Sequence, residues 1–245
     1  MTPTENFIAH LIELRDRLLR TLLGFFLVFI VLFPFSNKIY SLLAAPLLSQ
    51  LPVGGQMIAT AVTTPFFVPL QVTMLAAFII SLPHTMYQAW AFIAPGLYAH
   101  EKKFMIPMIV ASCLLFLTGM AFAYFLVFPV IFGFIVGAAP AGVAVMTDIA
   151  NYLDFVMALF FAFGLAFQVP IAVILAVRFA WVNIAQLKEA RAYVLVAAFI
   201  VGAIFTPPDI VSQFMLAVPI CLLYELGILL ASLTSKTKNT VVMEN

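Results

Sequence analysis

Long apolar stretches separated by short polar segments make up most of this chain. A helix that crosses a bilayer needs about 20 mostly apolar residues. The pattern predicts membrane-spanning helices at Leu18–Phe35, Pro69–Phe92, Phe104–Phe128, Phe155–Val177, Tyr193–Phe205 and Ile210–Leu230. At ~1.5 Å per residue the fifth stretch reaches only about 20 Å, against a hydrocarbon core of about 30 Å. Local thinning of the bilayer or burial within the bundle is therefore implied at this helix.

Composition narrows the class of protein. Hydrophobic residues make up 65% of the chain and charged residues 9%, with a mean hydropathy of +1.19. A soluble domain carries about 25% charged residues, so this chain cannot cover its outside with polar groups. A cytosolic enzyme, a disordered chain and a nucleic-acid binder are excluded. We expect an all-α polytopic membrane protein forming a single domain over residues 1–245, without a cleavable signal peptide.

The basic residues predict the orientation of the helices. Cytoplasmic loops carry an excess of Lys and Arg. Of the 11 basic residues, only Lys38 falls on the side opposite to the others, which are Arg15, Arg17, Arg20, Lys102, Lys103, Arg178, Lys188, Arg191, Lys236 and Lys238. Both termini are therefore expected in the cytoplasm. A model with five spans would move the tail lysines outside, so the charge bias supports the short fifth helix.

Three outside loops follow from this topology. The first is expected from Ser36 to Val68 and the second from Pro129 to Tyr152, both rich in Pro and Gly. The third is the tight turn Thr206–Asp209, in which Thr206 is expected to cap a helix and Asp209 to favour its N-terminal dipole. The last two helices should form a hairpin with its turn outside. Prolines in or near several spans, Pro170 among them, predict curved helices.

Catalytic and metal-binding motifs are missing from the sequence. It has no Walker loop, no HExxH, no Gly-x-Ser-x-Gly and no zinc-spaced cysteine pair. Cys113 and Cys221 lie in apolar runs and read as buried hydrophobes. The histidines His10, His84 and His100 are far apart in sequence. We expect no enzyme activity, no cofactor and no metal.

Two polar segments mark the cytoplasmic rim. The segment His10–Leu18 begins an amphipathic helix in which Glu13 and Arg17, four residues apart, can pair. The segment Trp90–Lys103 contains a Pro-Gly turn and Glu101, placed in the first turn of the next helix. Taken alone, each acid has an ordinary role, as an interfacial charge or as a helix-dipole acid.

Together these segments resemble the TatC family, the multi-spanning subunit of the twin-arginine protein translocase. The resemblance rests on HLIELRDRL, PFF, FIAPGLYAHEKK, GMAFAYFLVFP, TDIANYLDF, FGLAFQVP and TPPD, in that order from His10 to Leu230. It implies six helices forming a concave, glove-like bundle in a bacterial inner membrane. It also implies a receptor that binds the twin-arginine signal peptides of folded precursors and moves the precursors using the protonmotive force.

The resemblance assigns partners and site residues. The partners are single-span TatA- and TatB-like proteins, twin-arginine peptides and further copies within a larger complex, and the last two helices are candidate docking surfaces. The residues implied for signal binding are Glu13, Arg15, Phe92, Leu97, Tyr98 and Glu101. Paired acids suit this role because a carboxylate accepts the planar guanidinium fork bidentately, which lysine does not reproduce.

Three further positions match the family. Gln168 is the main polar residue within a span and is expected to contact a partner helix, although one interhelical hydrogen bond also accounts for it. Family members often carry Glu at this position, so a proton-carrying role is in doubt. Pro46 and Asp209 match functional positions of the outside loops, and a helix cap is an alternative role for Asp209.

One alternative function belongs to another class. A small-solute carrier or channel needs a substrate site near the midplane, usually with broken helices or paired ionisable groups. Near the midplane this sequence is expected to offer only Gln168 for such a site. An intramembrane hydrolase lacks a nucleophile–base pair.

Cysteine labelling checks the topology. Ser49→Cys and Lys188→Cys, each in a background with Cys113 and Cys221 replaced by Ala, should react with an impermeant maleimide from opposite sides of the membrane. The background without any cysteine is the control. Labelling of both positions from one side contradicts the orientation.

Overall fold

The computed structural model describes residues 3–49, 57–93, 105–138, 146–206 and 209–243. Within these ranges the regular structure is helical, and the expectation of an all-helical protein is confirmed. The helices are α1 (Pro3–Leu32), α2 (Ser36–Leu48), α3 (Thr64–Ile93), α4 (Met105–Phe122), α5 (Phe128–Gly137), α6 (Ile149–Ala166), α7 (Val169–Arg178), α8 (Ile184–Glu189), α9 (Arg191–Phe205) and α10 (Ile210–Met243).

Five helical segments of the described chain are long and apolar enough to cross a membrane. They are Ile8–Ala45, Thr64–Phe92, Ile106–Gly137, Ile149–Arg178 and Ile210–Leu233. The remaining predicted span, the short fifth one, corresponds to α9, an apolar helix of 15 residues. The helices are generally longer than the apolar runs from which they were predicted, because polar residues at each end continue the same helix.

The first loop that the sequence predicts outside the membrane is shorter than expected. Residues Ser36–Leu48, placed in that loop by the sequence, form α2 directly after a 3₁₀ turn at Phe33–Phe35. The turn contains Pro34, which suits the first turn of a helix because its missing N–H has no helical partner there. The side chains of Leu43, Ala44 and Leu47 are buried. Burial of this face explains why the segment is a helix.

The second of these predicted loops is also shorter at both ends. A π-helical segment at Ala123–Val127 carries the chain from α4 into α5, which passes Pro129 and ends at Gly137. Proline cannot donate a helical hydrogen bond, and the wider π turn absorbs the break. At the other end α6 begins at Ile149 rather than Phe155, because Asp148 caps it.

The chain divides into two compact units. The first comprises Met1–Leu48, Gln56–Leu114 and Met146–Leu153, and the second Ser49–Gly55, Leu115–Val145 and Asp154–Asn245. In the first unit α3 packs against both α1 and α2. Its buried α3 side chains are Val68, Val72, Leu75, Ala77, Leu82, Gln88, Trp90 and Ala91, together with Thr64, Thr73 and Ser81.

The second unit is packed largely through aromatic rings and small residues. Phe128 meets Phe160 edge-on with ring centroids 5.0 Å apart, and α10 packs along α7 and α9. A Cβ built on Gly119 would lie 2.5 Å from the backbone oxygen of Phe163, so only glycine permits this close approach between α4 and α6.

A polar clip joins residues 58–60 to residues 147–151 in the first unit. Oδ2 of Asp148 accepts hydrogen bonds from the hydroxyl and the backbone N–H of Thr60, at 2.7 and 3.0 Å. Oδ1 accepts from the backbone N–H groups of Ala150 and Asn151, at 2.9 and 3.1 Å. Ile58 pairs with the backbone on either side of Asp148. The Thr60 hydroxyl, the Asn151 N–H and the other donors lower the pKa of Asp148 to about 2.

The sign of this shift gives a pH prediction. A carboxylate whose pKa is depressed by folding stabilises the protein above its unfolded pKa of about 3.8 and loses that effect as the pH falls toward about 2. Asp148→Asn should therefore lower the unfolding temperature in detergent at pH 7. The difference from wild type should be constant from pH 8 to 5 and shrink below pH 4. Asp154→Asn, at an exposed position of α6, is the control; equal effects of both variants contradict the clip.

Candidate binding site along the α1–α3 seam

Four α1 residues and three α3 residues define a strip that we call the α1–α3 seam: His10, Glu13, Arg17 and Gly24 on α1, and His84, Gln88 and Phe92 on α3. At about 100° per residue, each set falls within less than a quarter of the helix circumference. Two contacts, one near each end of the strip, show that the sets face each other. All seven residues belong to the first unit.

The outer end of the seam is an aromatic stack. The imidazole of His10 lies flat on the ring of Phe92, with centroids 4.2 Å apart and an interplanar angle of 19°. This contact ties the first predicted rim element, at the start of α1, to the second, at the end of α3. Phe92 is half-buried and His10 is exposed. The stack therefore lies at the edge of the packed part of α1 and α3.

The inner end of the seam is a close helix–helix contact. Nε2 of His84 lies 3.1 Å from the carbonyl oxygen of Arg20 and donates its hydrogen to it. A Cβ built on Gly24 would lie 2.8 Å from Cδ2 of His84. The imidazole thus occupies the space that any larger residue at position 24 would fill, and Pro83 precedes it within α3.

An ion pair and a buried amide lie between these two ends. Arg17 donates through Nε and Nη2 to Oε1 of Glu13, at 2.9 and 2.5 Å. The side chains of Arg17 and Glu13 are 21% and 30% exposed, so the pair is partly sheltered. On α3, one turn from both His84 and Phe92, Gln88 is buried. The seam thus carries a carboxylate on α1 and an amide and an aromatic ring on α3.

The other predicted rim residues divide into two groups. Arg15 donates through Nε and Nη2 to its neighbour Asp16, and its side chain is 68% exposed, so these contacts stay within α1. Leu97, Tyr98 and Glu101 lie outside the described residues. Glu13 and Phe92 are therefore the two predicted signal-binding residues that the described structure places on one strip.

Gln168 lies at a break in the fourth long apolar segment. α6 ends at Ala166 and α7 begins at Val169, with Gln168 in the N-cap position before Pro170. Pro170 supplies no backbone N–H. The backbone N–H of Gln168 donates to the carbonyl of Leu165, three residues earlier, rather than to the residue four positions earlier as in a regular α-helix. The sequence predicts curved helices at its prolines, and at Pro170 the structure has instead an interruption between α6 and α7.

Asp209 caps α10, as its alternative role predicts. Its Oδ1 accepts from the backbone N–H of Ser212 at 2.7 Å, and no described residue donates to its buried Oδ2. Thr206, expected as the cap, instead donates to the carbonyl of Gly202 behind it. Pro46 lies within α2 rather than in a loop.

Sequence reasoning missed His84, Gln88 and Asp148. A polar residue preceding an apolar helix is a cap signal that identifies Asp148. Gln88 is a polar residue within a predicted span, and this is a sequence signal for a functional role. His84 owes its role to the missing side chain at Gly24, sixty positions earlier, and no local pattern shows that.

Chemically, the seam suits a flat cation. A guanidinium pairs with carboxylates and stacks on aromatic faces, and the seam offers both kinds of group. Within the described ranges, no three His, Cys, Asp or Glu side chains form a group that could hold a metal ion. The fold and this strip define a multi-spanning helical membrane protein with a partly sheltered acidic site at the end of two helices.

Comparison with known proteins identifies the family. The family model described as "Sec-independent protein translocase protein (TatC)" matches residues 9–219. The TatC proteins of Escherichia coli (strain K12) and Haemophilus influenzae are 52% and 51% identical to the chain, over 92% and 93% of its length and 87% and 89% of theirs. The chain belongs to the TatC family of Sec-independent protein translocase proteins.

A solved structure gives the same result for the fold. The structure described as "Twin Arginine Translocase Receptor- TatC" superposes with a TM-score of 0.81 at 36% sequence identity, covering 92% of this chain and 99% of that one. The resemblance stated from the sequence motifs is confirmed.

A glycine substitution tests the inner contact of the seam. Gly24→Ala should displace His84, and we expect the variant to be less stable by about 1 kcal/mol than Gly137→Ala, whose Cβ enters open space. Thermal unfolding in detergent measures both. In a His84→Ala background the Gly24→Ala penalty should disappear; an equal penalty in both backgrounds contradicts the contact.

Proposed function

We propose that the chain is the signal-peptide receptor of a twin-arginine translocase and that the outer part of the α1–α3 seam binds the paired arginines. The observation that carries the proposal is the position of Glu13, a partly sheltered carboxylate three residues from the imidazole stacked on Phe92. Family membership supports it, because a solved relative is described as a twin-arginine translocase receptor. Glu101 is proposed as the second acid.

The ion pair already present indicates how the site accepts a guanidinium. Both hydrogen bonds from Arg17 end on Oε1 of Glu13. Within the described part of the chain, Oε2 is therefore available to an incoming donor. An arginine has five N–H donors in a fixed fork, whereas lysine offers a compact point charge. The site is thus expected to prefer arginine over lysine.

The remaining steps involve partners and the membrane. We propose that both termini face the cytoplasm of a bacterium, that TatA- and TatB-type single-span proteins act with the chain, and that the protonmotive force drives transport of folded cargo. Gln168 carries a neutral amide, so proton movement does not pass through a titrating group at this position.

An apolar groove on α9 supports helix docking. The groove has a volume of about 430 Å³ and is lined by Leu195, Val196, Phe199, Ile200, Ala203 and Gln213. Lipid tails are as apolar as such a groove, so apolar character alone does not select a helix. Gln213, whose amide donates to the carbonyl of Phe199, adds a polar group to the surface. A single-span partner fits here, beside the shortest of the predicted spans.

The alternative function, a small-solute carrier or channel, is favoured by one feature of the helices but not by the family. The break at Gln168 is the broken helix that a midplane solute site would use. Family membership nevertheless assigns the chain to a protein translocase.

Peptide binding tests the receptor function. Purified wild-type protein in nanodiscs should bind a fluorescent twin-arginine signal peptide at least tenfold more tightly than its twin-lysine version, because a charge-assisted hydrogen bond contributes about 1.5–3 kcal/mol. Glu13→Gln should weaken twin-arginine binding by a similar factor. Asp16→Asn, on the same helix, should not. Equal binding of the two peptides, or full binding by Glu13→Gln, contradicts the proposed site.

A further inference from the structure

We propose that Gln88 is a further guanidinium-binding residue, whose buried side-chain carbonyl accepts a hydrogen bond from an arginine of the signal peptide. This inference rests on the proposed function and extends the site from the surface into the α1–α3 seam.

The first observation concerns the hydrogen bonding of a buried acceptor. Gln88 is 6% exposed, and none of the described residues donates to its buried Oε1. Leaving a buried acceptor unsatisfied costs about 1–3 kcal/mol, and most buried polar groups in proteins are paired. Trp90, two positions further along α3, illustrates the rule, because its indole N–H donates to Ser112. The side-chain carbonyl of Gln88 is therefore a group that a ligand can satisfy.

The second observation is the place of Gln88 in the seam. It lies one helical turn from Phe92 and one turn from His84, so its level is about 6 Å from each along α3. Both neighbours contact α1, at His10 and at Arg20. Gln88 consequently faces α1 between these two contacts.

Glu13 lies at a similar depth on the opposite helix. It is three residues beyond His10, or about 4.5 Å along α1. Since His10 stacks on Phe92, Glu13 and Gln88 lie on the same side of that stack, on facing strips of the two helices. A carboxylate and an amide carbonyl thus flank one short section of the seam.

The chemistry of this section selects the ligand. A carbonyl oxygen only accepts, so its partner must donate. A guanidinium bound to a carboxylate through two N–H groups still has three N–H groups for a second acceptor. An ammonium group donates as well, but it is compact and strongly hydrated and gains less from two acceptors held apart. Gln88 therefore adds to the preference for arginine over lysine.

Arg17 shows that a guanidinium already occupies this region. Its fork is bound to one oxygen of Glu13 and is partly sheltered. An incoming arginine finds Oε2 of Glu13 and Oε1 of Gln88 without donors among the described residues. The receptor need not break its own ion pair to bind the signal.

The test measures the arginine preference of variants at this position. Gln88→Met keeps the length of the side chain and removes the acceptor. We expect it to weaken twin-arginine peptide binding about tenfold, the equivalent of about 1.4 kcal/mol, and to leave twin-lysine peptide binding unchanged. Gln71→Met, a half-buried glutamine of the same helix, is the matched control and should bind both peptides as wild type does.

A second variant restores the acceptor. Gln88→Glu keeps the carbonyl geometry and adds charge, which strengthens hydrogen bonds to a guanidinium. Its preference for the twin-arginine peptide should equal or exceed that of the wild type. If Gln88→Met does not fold, this variant carries the test, and a reduced preference overturns the proposal.

Other outcomes separate the two proposals. If Gln88→Met weakens both peptides equally, or neither, Gln88 has a packing role only and the inference is wrong. If Glu13→Gln also leaves binding unchanged, the seam is not the receptor site and the proposed function itself fails. Loss of arginine preference in Glu13→Gln without any change in Gln88→Met overturns only the assignment of Gln88.

Discussion

The packing of α1 on α3 is the contact on which the site depends. The most apolar part of the first span buries none of its residues within the protein, so in a membrane this helix faces mainly lipid. Its position is fixed by the contacts of the seam, with His10 on Phe92 at one end and His84 against Gly24 at the other. Because apolar surface gives no net attraction between helices in lipid, close approach and polar contacts must hold α1 in place.

The proposed site would couple recognition to helix packing. The same two strips that hold the helices together carry Glu13, Arg17 and Gln88. A guanidinium bound between them would contact both helices at once, so binding energy would also stabilise the seam. On this proposal, a small number of polar residues in a largely apolar protein would be sufficient for specific binding, provided that packing places them at the same depth.

The fold class and the family can be predicted from the sequence. The apolar runs and their flanking charges predicted an all-helical membrane protein, and the ordered motifs identified the family. Helix ends were less predictable. Ser36–Leu48 forms a helix because three of its side chains are buried by tertiary packing, and Asp148 begins α6 early through bonds to Thr60, a residue distant in sequence.

The same limit applies to the site. Glu13 and Phe92 can be identified from the sequence, since each belongs to a motif of consecutive residues. His84 gains its role from the opposite helix, where Gly24 leaves room for its ring. The role proposed for Gln88 likewise depends on α1, which no local pattern in α3 shows. Photo-crosslinking tests most directly whether the signal peptide binds in the seam. Benzoylphenylalanine is placed at position 92 or at position 19, where Leu19 is an exposed residue on the opposite face of α1. A twin-arginine peptide should crosslink at position 92 and not at position 19, and replacing its arginines by lysines should abolish the product. Equal crosslinking at both positions, or at position 19 alone, would contradict a binding site in the seam.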